Sequence, residues 1–558
     1  MLKPIEWLLA VLLLPLAWLF PNHAPPWTAF QAEAWAAIVL LSVACRVLYL
    51  QCSFSHWHEL PLFVFLLIVV VILQGITGLI QQFGCVWMPA IYLAGLALAF
   101  LTGANWERSK PHQVGDLIFA SLLIACIVSM FFQFYQALNF TWAGIWILST
   151  LGTRSSANLG QPNQLASLLL LGIVGSYWFY IRKKIKGSIA VGLILLLLLS
   201  LALTESRTAW ITVSLIVFAL AFWKNLLRSH LEFYAALSLA LVFALFVVML
   251  PEMRRAADDG LVVELRGLSD PARSWIWNTM LEAMALRPWA GYGWGQVGHT
   301  QFVLPLGEVF PGSNLQQAHN LFLDLLLWNG LPIGLLSVAF LVRWWWIALR
   351  KVSDVQQLVL LLAICVLSVH AMLEFPLQYG YFLFPFGLLV GALETSFGAR
   401  VVLRTNKWVS ILFSILVSVG AFLTIRDYLN VETSFYGLRF EQSKIATSIP
   451  SAPPNVRVLT QWRDYLKFVR MDVGHVYSNE EIAWAKDLTQ MQPSALGMYR
   501  LAAMLAQAGR VDESEYWLKL LAKLSTPRAI EVSRIRWGEL SALYPPIARV
   551  RWPVNKDF

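Results

Sequence analysis

A helix needs about 17 to 25 predominantly apolar residues to cross roughly 30 Å of hydrocarbon, and this chain supplies such runs repeatedly. They fall near 4–20, 33–50, 61–81, 85–102, 115–138, 164–181, 188–204, 207–223, 232–250, 320–342, 356–373, 379–397 and 408–426. The expectation is an all-α, polytopic membrane protein with about 13 transmembrane helices. Composition agrees, since 58% of the 558 residues are hydrophobic and 13% charged, against about half and about a quarter in soluble domains. The first run leads into Pro21-Asn22-His23-Ala24-Pro25-Pro26 with no small-residue cleavage site, so it is expected to stay as an anchor.

The net charge of +9 does not point to nucleic acid, because much of it lies in short clusters such as Arg182-Lys183-Lys184-Ile185-Lys186 between membrane-length runs. Such clusters mark cytoplasmic loops. Lys3, Arg46, Arg108 with Lys110, the Arg182 cluster, Lys224 with Arg228, Arg343 with Arg350 and Lys351, and Arg400 with Arg404 and Lys407 fall in alternate loops. The N-terminus is then inside, and loops 21–32, 82–84, 139–163, 205–206, 251–319 and 374–378 face outward, with everything after about 427. In a bacterium this is the periplasm. Arg154, Gln161, Asn163, Glu205, Arg207, Arg273, His319, Glu374 and Tyr379 should therefore gather on one face of the membrane. The five cysteines, at 45, 52, 85, 126 and 365, sit in or beside apolar runs without metal-ligand spacing and read as small buried side chains.

The expected organisation is a membrane domain over 1–426, interrupted by a large outer loop at 251–319, and a small helical domain over 427–558. In the latter, Ser494 to Pro527 reads as helix, turn at Ala508-Gly509-Arg510-Val511-Asp512, and helix, like one tetratricopeptide unit. It suits either partner docking or a simple packing cap.

The chemistry is sought in the outer loop. It carries Arg254, Arg255, Arg266, Arg273 and Arg287 and ends in Gln316-Gln317-Ala318-His319-Asn320 at the lip of a span. Of nine histidines, only His319 stands at the junction of that loop with a span, and an imidazole accepts a proton from a hydroxyl near neutral pH without a metal. Arg207 begins a span, and Arg273 precedes an amphipathic helix; a guanidinium in such low-dielectric surroundings requires an anion or a backbone acceptor. Glu205 lies two positions from Arg207, which does not place the two on one helix face. Gln161-Pro162-Asn163-Gln164-Leu165-Ala166 opens another span. Its amides can cap free N–H groups or seat a sugar or pyrophosphate. Tyr379 and Tyr381 flank a tight turn after Glu374, where tyrosines are commonly membrane-belt residues. Asp324 and Asn329 lie inside the span after His319, and Asp324 is not an obvious same-face partner for its ring. Asp258-Asp259 is the only acidic doublet in the loop and reads as solvated.

The stretch from His319-Asn320-Leu321 to Asn329-Gly330-Leu331-Pro332-Ile333-Gly334 resembles the core of the O-antigen ligase and polymerase superfamily. The Gln161-Pro162-Asn163 motif, Arg273-Ser274-Trp275 and Gly291-Tyr292-Gly293-Trp294-Gly295 resemble the bacterial protein O-oligosaccharyltransferases that glycosylate pilins. The resemblance covers roughly 140–400. It implies that His319 is catalytic, that Arg207 and Arg273, with Arg154, engage a pyrophosphate, and that Tyr379 or Tyr381 takes part. Gln161, Asn163 and Asn320 are the expected donor or glycan contacts. It further implies an undecaprenyl-pyrophosphate-linked oligosaccharide donor, a pilin or other periplasmic acceptor, location in the inner membrane, and no cofactor, metal or nucleic acid. Transfer to lipid A core, polymerisation of a polysaccharide, and transport of a lipid-linked glycan are the rival functions; a transporter is expected to carry midplane polar residues and internal repeats.

Overall fold

The computed structural model describes all residues except 1–2, 22, 52, 139–145, 148–153, 257–270, 309–311, 313 and 554–558; for 251–256 and 271 it describes the backbone alone. Arg266, Asp258 and Asp259 lie outside the described residues, as do the side chains of Arg254 and Arg255.

Every apolar run of the sequence is a helix. Among the described residues eight are long and apolar enough to cross a membrane: Phe30–Tyr49, Glu59–Ile76, Phe83–Ser109, Gln113–Ala137, Pro162–Ile181, His230–Leu250, Leu321–Lys351 and Lys407–Gln442. Five shorter apolar helices occupy the remaining runs, at Pro4–Leu19, Gly187–Leu203, Arg207–Phe222, Val355–Ala371 and Gly380–Ser396. The protein is an all-α, multi-pass membrane protein. The first of the short ones is divided at Pro15 into Pro4–Leu13 and Leu16–Leu19, as a residue without an N–H requires. The final helix runs on to Gln442, well past its apolar part. The four described cysteines are free thiols.

The chain forms two compact units. One comprises Met1–Leu67, Ile91–Ser269 and Leu341–Ala421, the other Ile68–Ala90, Asp270–Phe340 and Phe422–Phe558. In the first, Pro162–Ile181, the most enclosed of the eight long spans, is packed by Gln113–Ala137, Gly187–Leu203 and Val355–Ala371. A two-stranded antiparallel ribbon, not foreseen from the sequence, pairs Phe54–Trp57 with Leu403–Asn406. Asn105 holds it from below, accepting from His56 N at 2.8 Å and donating to His56 O at 2.9 Å.

In the second unit, helices Asn479–Met491, Ala495–Gln507, Val511–Leu524 and Pro527–Leu543 follow one another, with Ser478, Ser494 and Thr526 as N-caps. The buried carboxylate of Asp427 accepts the backbone N–H groups of Arg457, Val458 and Leu459 at 2.6, 2.6 and 3.3 Å.

The same unit contains a break inside an apolar helix. Leu321–Lys351 is interrupted at Gly330, whose φ of 71° and ψ of 174° no L side chain adopts easily. Pro332 follows and has no N–H to offer Trp328 O. The segment after Pro288 makes up the deficit. Tyr292 N donates to Leu327 O at 2.7 Å, Gly293 N to Trp328 O at 3.1 Å, and Leu331 N to Pro288 O at 2.7 Å. Gln74 adds a bond from Nε2 to Trp328 O at 2.9 Å and takes one from Trp294 N at 2.9 Å. The glycine-rich 291–295 stretch is thus a backbone wedge: a Cβ on Gly291 would lie 2.4 Å from Leu327 O, and one on Gly330 would lie 2.3 Å from Trp289 O. Gly330→Ala should therefore destabilise the protein by about 2 kcal/mol or more, read as a lower thermal midpoint in detergent; an unchanged midpoint would show that the break tolerates a side chain.

Candidate functional site

The first unit brings several helix ends together. Gln161 is the N-cap of Pro162–Ile181, its Oε1 accepting from Gln164 N at 2.7 Å, with Pro162 at the first helical position. Capping uses only half of this amide. Gln161 Nε2 donates to Glu374 Oε2 at 2.6 Å, and Asn163 Nδ2 donates to Glu374 Oε1. Glu374 is buried in the turn after Val355–Ala371 and also bonds His370 Nε2 at 3.1 Å. The other ring nitrogen of His370 lies 2.7 Å from Ser167 Oγ. Burial pushes the Glu374 carboxyl up, but the His370 hydrogen bond and charge, with the two amides, outweigh it and hold the group well below the usual carboxylate range.

The arginines attach to this network. Arg154 donates from Nη2 to Asn163 Oδ1 at 3.1 Å and from Nε to Thr204 O at 3.0 Å. Thr204 stands just ahead of Glu205, whose φ is 49°, and Ser206, the N-cap that accepts from Ala209 N at 3.3 Å. Arg207 is then the first residue of Arg207–Phe222. That helix packs against Pro162–Ile181. Two guanidinium-bearing segments and two helix N-termini, each with its partial positive charge, meet here.

The tyrosines differ from each other. Tyr381 is buried and its hydroxyl donates to Gln164 Oε1 at 2.8 Å. Tyr379 is half-buried, stacked on Tyr381 at 5.3 Å and on Phe375 at 6.0 Å. Burial, with the charge of Glu33 next, pushes its phenol up to about 12. Glu33, an acid inside Phe30–Tyr49, accepts from Tyr92 OH at 2.6 Å, Gly380 N at 2.7 Å and Trp27 Nε1 at 2.9 Å. It thereby anchors the helix start that follows Tyr379.

In the second unit the loop before Leu321–Lys351 is held residue by residue. Gln301 Oε1 accepts from Leu315 N at 3.1 Å and Gln301 Nε2 donates to Leu315 O at 2.9 Å. Asp324 accepts from Ala318 N at 2.8 Å, and Trp277 Nε1 donates to Ala318 O at 3.1 Å. Asn320 Oδ1 caps the helix at Phe322 N and Leu323 N, 3.0 and 3.1 Å away. Between these anchors His319 adopts a left-handed φ of 55° and is half-buried, a conformation that a non-glycine residue keeps only where its neighbours impose it. Arg273 precedes Trp277 by one helical turn in Pro271–Leu286, so both lie on the helix face that reaches the His319 turn. Arg287 lies 5.1 Å over the Tyr292 ring. Burial, aided by Arg287, pushes His299 down to about 4, which leaves that imidazole neutral.

Sequence reasoning named nearly all these residues but not their partners. Glu374 reads from the sequence only as a polar residue on the outward side and His370 is not singled out, although their i,i+4 spacing is a signal. Glu33 drew no attention, and the sign that could have found it is an acid in the first turn of a membrane span. Asp324 was weighed against the His319 ring, whereas it accepts from the backbone just before it.

Three family models match the chain. The O-antigen ligase model matches residues 192–338, the protein glycosylation ligase model 157–180, and the C-terminal model of the virulence factor membrane-bound polymerase 358–524. Two curated proteins of Acinetobacter baylyi are similar along the chain. A general O-oligosaccharyltransferase is 26% identical over 93% of this chain and 92% of its own length. A ComP-specific O-oligosaccharyltransferase is 30% identical over 59% and 60% respectively. The chain is a membrane-bound glycosyltransferase similar to the protein O-oligosaccharyltransferases of the O-antigen ligase superfamily.

Proposed function

We propose that this enzyme transfers a glycan from undecaprenyl pyrophosphate to Ser or Thr hydroxyls of a pilin or another periplasmic protein, at the outer face of the bacterial inner membrane. The observation that carries the reading is the bridge from Asn163 through Arg154 to Thr204, which fixes a guanidinium against the backbone leading into Arg207. An anion of the size and charge of a pyrophosphate is suited by such a pair beside two helix N-termini. The match to the protein glycosylation ligase model over 157–180 supports a protein acceptor.

In this reading 1–426 is the membrane domain, and the 251–319 loop and the 427–558 helical domain lie in the periplasm. Arg154, Arg207 and Arg273 stabilise the charge that develops on the departing pyrophosphate. Gln161, Asn163 and Asn320 line the donor or glycan path. The bond between the anomeric carbon and the pyrophosphate oxygen breaks as the Ser or Thr oxygen attacks, and His319 takes the hydroxyl proton. Direct displacement inverts the anomeric carbon. The periplasm supplies no ATP, so the donor carries its own leaving group. Tyr379, half-buried where Tyr381 is fully enclosed, is the tyrosine that meets substrate. The match to the membrane-bound polymerase model favours a second reading, in which the acceptor hydroxyl belongs to a glycan.

Three measurements test this. His319→Ala should lower transfer on the order of a hundredfold or more while leaving membrane insertion intact; near-normal glycosylation by the variant would remove His319 from the mechanism. Tyr379→Phe is expected to reduce kcat with the thermal midpoint unchanged, and Tyr381→Phe to cost about 1 kcal/mol of stability through its lost bond to Gln164; the opposite pattern would reverse their roles. Purified enzyme given lipid-linked donor and either pilin-like protein or free glycan should modify the protein by mass spectrometry, and elongation of the glycan alone would establish the polymerase instead.

A further inference from the structure

Glu374 has no part in the transfer just described, yet it organises the residues that do. A carboxylate only accepts hydrogen bonds, whereas an Asn or Gln side chain presents either its oxygen or its NH2 group. Because Glu374 receives the NH2 groups of both Gln161 and Asn163, it determines which way each amide points. The oxygens are turned away from it. Gln161 Oε1 meets Gln164 N, and Asn163 Oδ1 meets Arg154 Nη2. With an amide in place of the carboxylate, Asn163 is free to rotate by a half-turn and present NH2 to a guanidinium, which repels it.

The surroundings make a charged acid tenable here. His370 lies one helical turn ahead of Glu374 with its Nε2 at 3.1 Å, and Ser167 holds the other side of the ring. Gln161, Asn163, Arg154, His370 and Tyr379 are among the polar and charged groups linked to it from the packed elements. The hydrogen bonds to the two amides and to the His370 ring satisfy a carboxylate that burial alone would not allow.

We propose that Glu374 is a positioning residue for donor binding: by holding the amide NH2 groups it aims Asn163 Oδ1 at Arg154 and so fixes the guanidinium that receives the donor pyrophosphate. This rests on the assignment of Arg154 to the pyrophosphate.

The test is steady-state transfer by purified protein in detergent, with donor KM and kcat measured separately at saturating acceptor. Glu374→Gln should raise donor KM roughly tenfold, the scale of one lost charge-assisted hydrogen bond, with little change in kcat. Asn163→Asp should also bind donor poorly, since it sets two carboxylates face to face. Combining the two reverses the polarity of the contact: the new amide donates to the new carboxylate, whose second oxygen still accepts from Arg154. The double variant should recover most of the donor affinity, a rescue that a packing role does not give. An unchanged donor KM in Glu374→Gln, or a double variant no better than Asn163→Asp alone, overturns the proposal. The second comparison serves even where Glu374→Gln does not accumulate. If Arg154→Ala leaves donor KM at the wild-type value, the pyrophosphate assignment itself is lost; if it raises donor KM and the Glu374 variants do not, only the role of Glu374 is lost.

Discussion

A backbone or side-chain polar group inside a bilayer has no water to turn to, and this molecule is arranged around meeting that demand internally. At several starts of apolar helices and at the Gly330 break, a named group supplies the missing partner. Gln161, Ser206 and Asn320 cap the starts. Gln74 and the backbone of Tyr292 and Gly293 serve the carbonyls released at the Gly330 break. Glu33 receives the N–H at the start of Gly380–Ser396. The groups proposed for chemistry stand at these same places, because an interrupted helix is where polar atoms can face a cavity instead of lipid.

Two local devices follow, each complete within its own compact unit. Around Glu374, two amides and Arg154 are locked into one polarity, so the guanidinium needs little reorganisation to receive the proposed anion. Around His319, four hydrogen bonds to the flanking residues hold a backbone conformation that the side chain alone disfavours. A proton acceptor used in one geometry gains from being held in it beforehand. Both devices spend buried polar groups, which are costly in apolar surroundings, on orientation.

The fold was largely legible because membrane helices announce themselves one at a time. Each apolar run carries its own length and composition, and no distant residue is needed to recognise it. The caps were legible for the same reason, as with Gln161-Pro162-Asn163. What could not be read was pairing across the chain. Asn163 and Glu374 are 211 positions apart, and Ser167 and His370 are 203. No local pattern states that an amide at one helix start will face an acid after another helix end. The glycines of 291–295 show the other limit: their spacing was noticed, but their task, filling the break at Gly330, depends on a helix that begins later in the chain. The ribbon between Phe54–Trp57 and Leu403–Asn406 is too short for any periodicity to reveal.

That ribbon bears on how the protein is made. Trp57 Nε1 donates to Thr405 Oγ1 across 348 positions of sequence at 2.8 Å, so the loop that carries Phe54–Trp57 waits for a strand made much later before its edge is paired. Insertion of the intervening helices must therefore precede closure of this clasp. A nascent chain stalled short of Asn406 lacks the strand that pairs with Phe54–Trp57, so the edge of that segment stays unpaired until the later strand is made.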